Sequence, residues 1–224
     1  MGDYQVLPAP VEGLPAAEVE RLLRRAAAGR GARRGDLHEA AGFALEMTGG
    51  GGRDRLVWGT LGKQDGLLAL FSGDRLLAAE KDLGEILRVQ PVALPGLPQF
   101  AAMVDDLYDE MVGAFLREER RRIYVWDGRG LREVYKGTLE SEQYRHARWD
   151  NPRGPNAWRL RRILGEVKVQ GGNLTEVERT QELEASGAPD APLPPAKVFR
   201  LLRERRQERH LVWNARLRRF EEGR

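Results

Sequence analysis

The chain repeats itself, and no other feature limits its fold as much. LREERRRIYVWDGRGLREV, starting at Leu116, returns as LRERRQERHLVWNARLRRF from Leu202, one residue longer before the tryptophan and one shorter after it. GLLALFSGDRLLAAE from Gly66 and GEVKVQGGNLTEVE from Gly165 are partial copies of the second half. All four have the pattern of strand, tight turn, strand. With Phe71, Trp126, Gln170 and Trp213 as equivalent ends of the first strand, the copies are spaced by 55, 44 and 43 residues. A period of that length points to a repeat architecture rather than to a chemistry.

The rest of the chain can be divided on the same pattern. Residues 1–35 hold a Pro- and Gly-punctuated lead, a helix expected from Pro15 to Ala28, and the linker GRGARRG. Val19, Leu22, Leu23 and Ala26 recur at helical spacing, with proline at the first turn and Gly29 at the end. Residues 36–224 form the β-repeat domain, with units at about 42–81, 100–136, 144–180 and 197–221. The first unit comprises FALEMT, RLVWGTL, LLALF and RLLAAE, separated by residues suited to tight turns. Residues 82–99 connect it to the second unit and hold a short strand from Ile86 to Val89. The second unit comprises FAAMV, MVGAF, RIYVW and LREVY, and three of its positions are offset from the first by 57, 55 and 55 residues. The third has strands at Tyr144–Trp149 and Trp158–Ile163 and a closing hairpin from Gly165. ASGAPDAPLPP, from Ala185, is expected to be a flexible or polyproline-like linker. VFRLL, HLVW and LRRFE make the last unit.

These readings predict a mainly β protein of antiparallel four-stranded, β-propeller-like units, the last one or two incomplete, with one short N-terminal helix. A rival is α+β. From Phe100 to Leu116 the apolar residues also fit helical spacing with Asp105, Asp106, Asp109 and Glu110 on the wet face, giving a helix near 98–121. KVFRLLRERRQER is rich in helix formers and gives a second helix near 195–209.

Composition excludes little. The formal charge is +3, and the 37 basic residues include only five lysines, an arginine bias shared by coding composition, heat adaptation and recognition of planar anions. Without cysteine there are no disulfides or thiolate metal sites, and the compartment stays open. No apolar run is long enough to span a membrane. MGDYQVLPAPVEG lacks the basic and apolar regions of a signal peptide, although it suits the trimmed start of an exported protein.

The acidic stretch VDDLYDEMVGAF from Val104, followed by a hairpin ending in YVWDG and LREV, resembles the blades of FG-GAP and VCBS-type repeat proteins. That resemblance implies a β-propeller, a non-catalytic binding or scaffolding role, an extracellular or envelope setting and a calcium-binding acidic turn. On it, Asp105 and Asp109 fall at ligand-like positions with Asp106 and Glu110 beside them. The glycine of the family's sharp loop is missing, and Leu107 and Tyr108 intrude, so added calcium is expected to bind poorly and no cofactor is implied. Asp54, and Asp36 with Glu39, are weaker echoes of the same turn.

Of the five tryptophans, Trp126 and Trp213 occupy one slot in two repeats and are expected in the core. Trp58, on its strand, is in register with Ala114. Trp149 and Trp158 flank DNPRGPNA, where they join Arg148, Arg153 and Asn156 as candidates for stacking on a sugar or base; Trp149, Arg153, Asn156 and Trp158 are the candidate ligand-binding set. Core anchoring of that loop explains the same residues. From Pro195 onward ten Lys or Arg face four Glu, whereas Leu97 to Leu116 carries four acids and no base. This polarity suits either a polyanion at the C-terminal unit or complementarity between the two patches. His38, His146 and His210 have no metal spacing, and no P-loop or GxSxG is present. The expected function is non-catalytic binding of a protein or polysaccharide partner, with an Arg-rich nucleic-acid or polyanion binder as the alternative.

Overall fold

The computed structural model describes residues 11–28, 37–62, 64–112 and 115–223. Residues 1–10, the GRGARRG linker with Asp36, and the Gly113 and Ala114 named above lie outside them. Strand accounts for 64% of the structure and helix for 9%, so the protein is mainly β and the α+β alternative does not hold.

Helix α1 (Ala16–Ala27) forms where the periodicity places it, after Pro15, whose carbonyl accepts from the Glu18 and Val19 amides. Its stripe of Val19, Leu22, Leu23 and Ala27 is buried against Val57, Leu67, Ala69 and Phe71. Those residues belong to a five-stranded antiparallel meander of β1 (Glu12–Gly13), β2 (Leu37–Leu45), β3 (Asp54–Leu61), β4 (Asp65–Ser72) and β5 (Arg75–Leu83). Arg55 and Glu18 form an ion pair of 2.5 Å between β3 and the helix. Both faces of β3 and β4 are covered, which is why their sequences read as apolar runs without alternation.

The other strands form one eight-stranded antiparallel meander: β6 (Glu85–Ala93), β7 (Phe100–Glu110), β8 (Leu116–Trp126), β9 (Leu131–His146), β10 (Ala157–Gln170), β11 (Asn173–Ser186), β12 (Arg200–Asn214) and β13 (Arg219–Glu222). A four-residue helix, α2 (Ala147–Asp150), follows β9. Pro91 fits within β6 because that strand is an edge and needs no donor on its outer side.

The chain passes between the sheets at Gly84. A Cβ there would lie 2.1 Å from the Leu107 carbonyl oxygen, and one at Gly66 would lie 2.1 Å from the Gly84 oxygen, so backbone crosses backbone without room for a side chain. The main core fills the space between the sheets with Leu45, Leu56, Trp58, Leu68 and Leu70 on one side and Ile86, Val89, Val104 and Tyr124 on the other. The larger sheet then rolls back on itself. Ala101, Ile123, Val125 and Tyr135 share a core with Val167, Leu174 and Trp213. Phe220 of β13 lies 6.1 Å from Tyr135 of β9, although three strands separate those two in the sheet. Among the described residues no closed barrel or propeller forms.

All four repeated segments are hairpins: β4–β5, β8–β9, β10–β11 and β12–β13. They are successive hairpins of two meanders, however, rather than separate propeller-like blades. Several strands expected as pairs are single and long. VDDLYDE lies within the unbroken strand β7, which runs to Glu110. The Trp158–Ile163 strand and the one after it are both β10, and the segment with helix-forming composition from Lys197 is a short 3₁₀ turn (Ala196–Val198) followed by β12. Twelve register partners on β11 override local propensity there. The Ala185 segment is not a free linker: the Gly187 and Ala188 carbonyls accept from His146 and Trp158, and Leu193 packs into the adjacent apolar cluster.

Candidate functional site

Adjacent strand residues point to opposite faces, so Asp105 and Asp106 enter different layers. Asp106 is fully buried; it accepts from the Gly84 amide at 2.9 Å, Arg120 at 2.5 Å and Arg122 at 3.0 Å. Asp105 accepts two bonds from Arg121, at 2.7 and 2.8 Å, and two from Arg88, at 2.7 and 3.1 Å, while Arg121 also donates to the Val167 carbonyl at 2.8 Å. Burial alone would raise the Asp105 pKa, yet the hydrogen bonds from Arg121 and Arg88 hold it below the ordinary carboxylate value. Asp109 lies 3.8 Å from Arg117 and accepts from the Met111 amide. The acidic segment is thus matched by arginines of β6 and β8, not by the C-terminal unit, and no described group of acids or histidines could hold a metal ion. Asp54 caps its own turn through the Met47 and Thr48 amides, and Glu39 lies on β2 with φ +53°.

The candidate ligand set divides. Trp158 is 1% exposed, its indole N–H donates to the Ala188 carbonyl, and its ring packs on Phe115 and His146. It is packed into the core, as Trp213 is. Trp126 is only partly buried. Trp149 is 46% exposed and rests against Trp158, with ring centroids 5.2 Å apart. Arg153 and Asn156 are exposed on the same loop, where the Arg153 amide donates to Asn151 and the Asn156 carbonyl accepts from Gly187. Trp58 packs in the main core, 5.0 Å from Phe43.

The face of β10, β11 and β12 was not apparent from the sequence. Directly opposed residues of antiparallel strands share a face, as do alternate residues along one strand. Register therefore places Arg161, Glu182 and Arg203 in one row, Ile163, Thr180 and Arg205 in the next, and Gly165, Glu178 and Gln207 in a third. Arg161, Glu178, Thr180, Glu182, Arg203, Arg205 and Gln207 line a concavity of about 390 Å³. Toward the β10–β11 turn the same face becomes apolar at Val167, Val169 and Leu174 and enters the core, with the Glu176–Arg209 pair, 2.6 Å, at the boundary.

Ionic partners differ between the two sides of this arm. On the opposite face Arg206 pairs with Glu208 and Gln181 bonds Glu204. In the concavity Arg161, Arg203 and Arg205 have no carboxylate at ion-pair distance among the described residues. Glu178 accepts from Thr180 at 2.9 Å. Arg200 to His210 is exposed at every position, and β13 pairs only with Leu211–Asn214. The signal that could have located this face was the i, i+2 alternation of Arg203, Arg205, Gln207 and Arg209 against Glu176, Glu178 and Glu182.

No family model matches the chain, and no curated protein or solved structure matches it. No helix among the described residues is long and apolar enough to cross a membrane.

Proposed function

We propose that the protein is a non-catalytic binding module and that the β10–β12 concavity takes an acidic polysaccharide. The observation that carries this reading is the row pattern of arginines without ionic partners alternating with hydrogen-bonding side chains: Arg161, Arg203 and Arg205 beside Glu178, Glu182, Thr180 and Gln207. Guanidinium groups suit carboxylate or sulfate bidentately, and the carboxylates, hydroxyl and amide suit sugar hydroxyls. None of the lining residues is aromatic, so the site lacks the stacking surface that single-stranded nucleic acid uses. A role of this kind agrees with the exported or envelope setting that the FG-GAP and VCBS resemblance implies.

Titration with alginate, heparin, neutral dextran and single-stranded DNA tests it. Alginate or heparin should bind at low salt, weaken as salt rises, and outcompete both dextran and DNA. Arg203→Ala and Arg205→Ala should each weaken binding about tenfold, equivalent to roughly 1.4 kcal/mol. Binding that is equal for dextran, or indifferent to both substitutions, would refute the proposal.

A further inference from the structure

The face of the arm is one surface, and its edge is another. From Arg200 to Arg209 the side of β12 away from β11 is paired with no described strand, since β13 covers Leu211–Asn214 and Gly223 donates to the His210 carbonyl. A long exposed edge of this kind is a template for another strand unless its charges forbid it. Five arginines and two glutamates lie between Arg200 and Arg209. Two such edges paired antiparallel over their full length would set Arg200 against Arg209 and Arg203 against Arg206, which argues against a second copy of the chain.

The strand already paired with β12 shows what chemistry it accepts. Across the covered edge, Glu176 lies opposite Arg209, Glu182 opposite Arg203 and Glu184 opposite Arg200. The same arginine side chains stand on the faces of β12 and are within reach of a strand on either side. We infer that the open edge of β12 is a docking site for an extended acidic segment of a partner protein, carrying glutamate or aspartate at every second position and adding as a strand along Arg200–Arg209. Main-chain hydrogen bonds would supply affinity, and the alternating acids would supply register and selectivity. Because pairing with β11 already holds β12 extended, only the partner has to be ordered.

The test uses the full chain and a short blocked peptide with glutamate at every second position and threonine or valine between. The peptide should bind, and amide exchange should slow at residues 200–209. Methylating alternate peptide nitrogens keeps the charge and removes the ladder, and should abolish binding; replacing glutamate by lysine should do the same. Arg203→Glu with Arg205→Glu should weaken binding at least about tenfold, while circular dichroism of the variant reports an intact fold. Equal binding of the N-methylated peptide, protection elsewhere in the chain, no binding at roughly millimolar peptide, or a β12-mediated dimer in solution would each overturn the inference.

Discussion

Asp106 shows how much of this fold depends on single buried charges. Its carboxylate is fully buried between two arginines and a backbone amide, and Arg120 and Arg122 are themselves 13% and 8% exposed. Removing the acid takes the buried counter-charge from both guanidinium groups, leaving Arg122 with Glu133 and Arg120 with only a 4.0 Å contact to Glu118, and breaking a buried pair typically costs about 3–5 kcal/mol. Asp106→Ala should therefore destabilise the protein by that amount in urea denaturation, far more than Asp109→Ala, whose carboxylate is 40% exposed. Glu119 is the opposite case. It lies directly across from Glu140, and burial first, then repulsion from Asp105 and Glu140, raise its pKa above the ordinary 4.5. A carboxyl with a raised folded pKa is best tolerated protonated, so its unfavourable contribution is absent below the unfolded value and develops as pH rises through the folded one. Glu119→Gln should stabilise at neutral pH by roughly 0.5 kcal/mol, a small figure because the group is partly exposed and screened. It should have almost no effect near pH ~3. Urea midpoints at the two pH values decide this.

At the scale of elements, the hairpins and α1 were legible because their signals are local: turn residues at fixed offsets, and an apolar stripe at helical spacing. The long strands were not. Phe100–Glu110 carries apolar residues toward two different cores and buries an acid on each face, so period-two alternation is absent and helical spacing fits as well. In β12 arginine and glutamate score as helix formers, and only pairing with β11 makes the segment a strand. Trp158 and Trp149 differ for a comparable reason: the sequence shows two aromatics beside one loop but not which of them the Ala185–Pro195 segment covers. Trp158→Ala should cost about 3–5 kcal/mol in chemical denaturation and Trp149→Ala under about 1 kcal/mol. Equal costs would mean that the loop is packed differently.

The whole molecule consists of a helix on a five-stranded sheet, that sheet on the first half of a larger one, and the larger one rolled back over itself. The repeat was visible in the sequence, but how successive hairpins join was not. That depends on close crossings such as Gly84, where the absent side chain is the only local sign. Gly84→Ala should destabilise by more than about 3 kcal/mol, because the clash is with backbone and cannot be relieved by a rotamer change; a mild effect in thermal or urea denaturation would mean that the sheets do not cross there. This layering places the cores between and within the sheets and leaves Arg200–His210 of β12 exposed, with unpaired arginines on one face of the β10–β12 arm. We propose that this face is where the protein binds. Amide exchange of the full chain with and without alginate oligomers tests it most directly. Slower exchange is predicted at residues 161–165, 178–182 and 203–207, with the Trp149–Asn156 loop unchanged; protection confined to that loop, or spread evenly over the arginine-rich surface, would contradict the account.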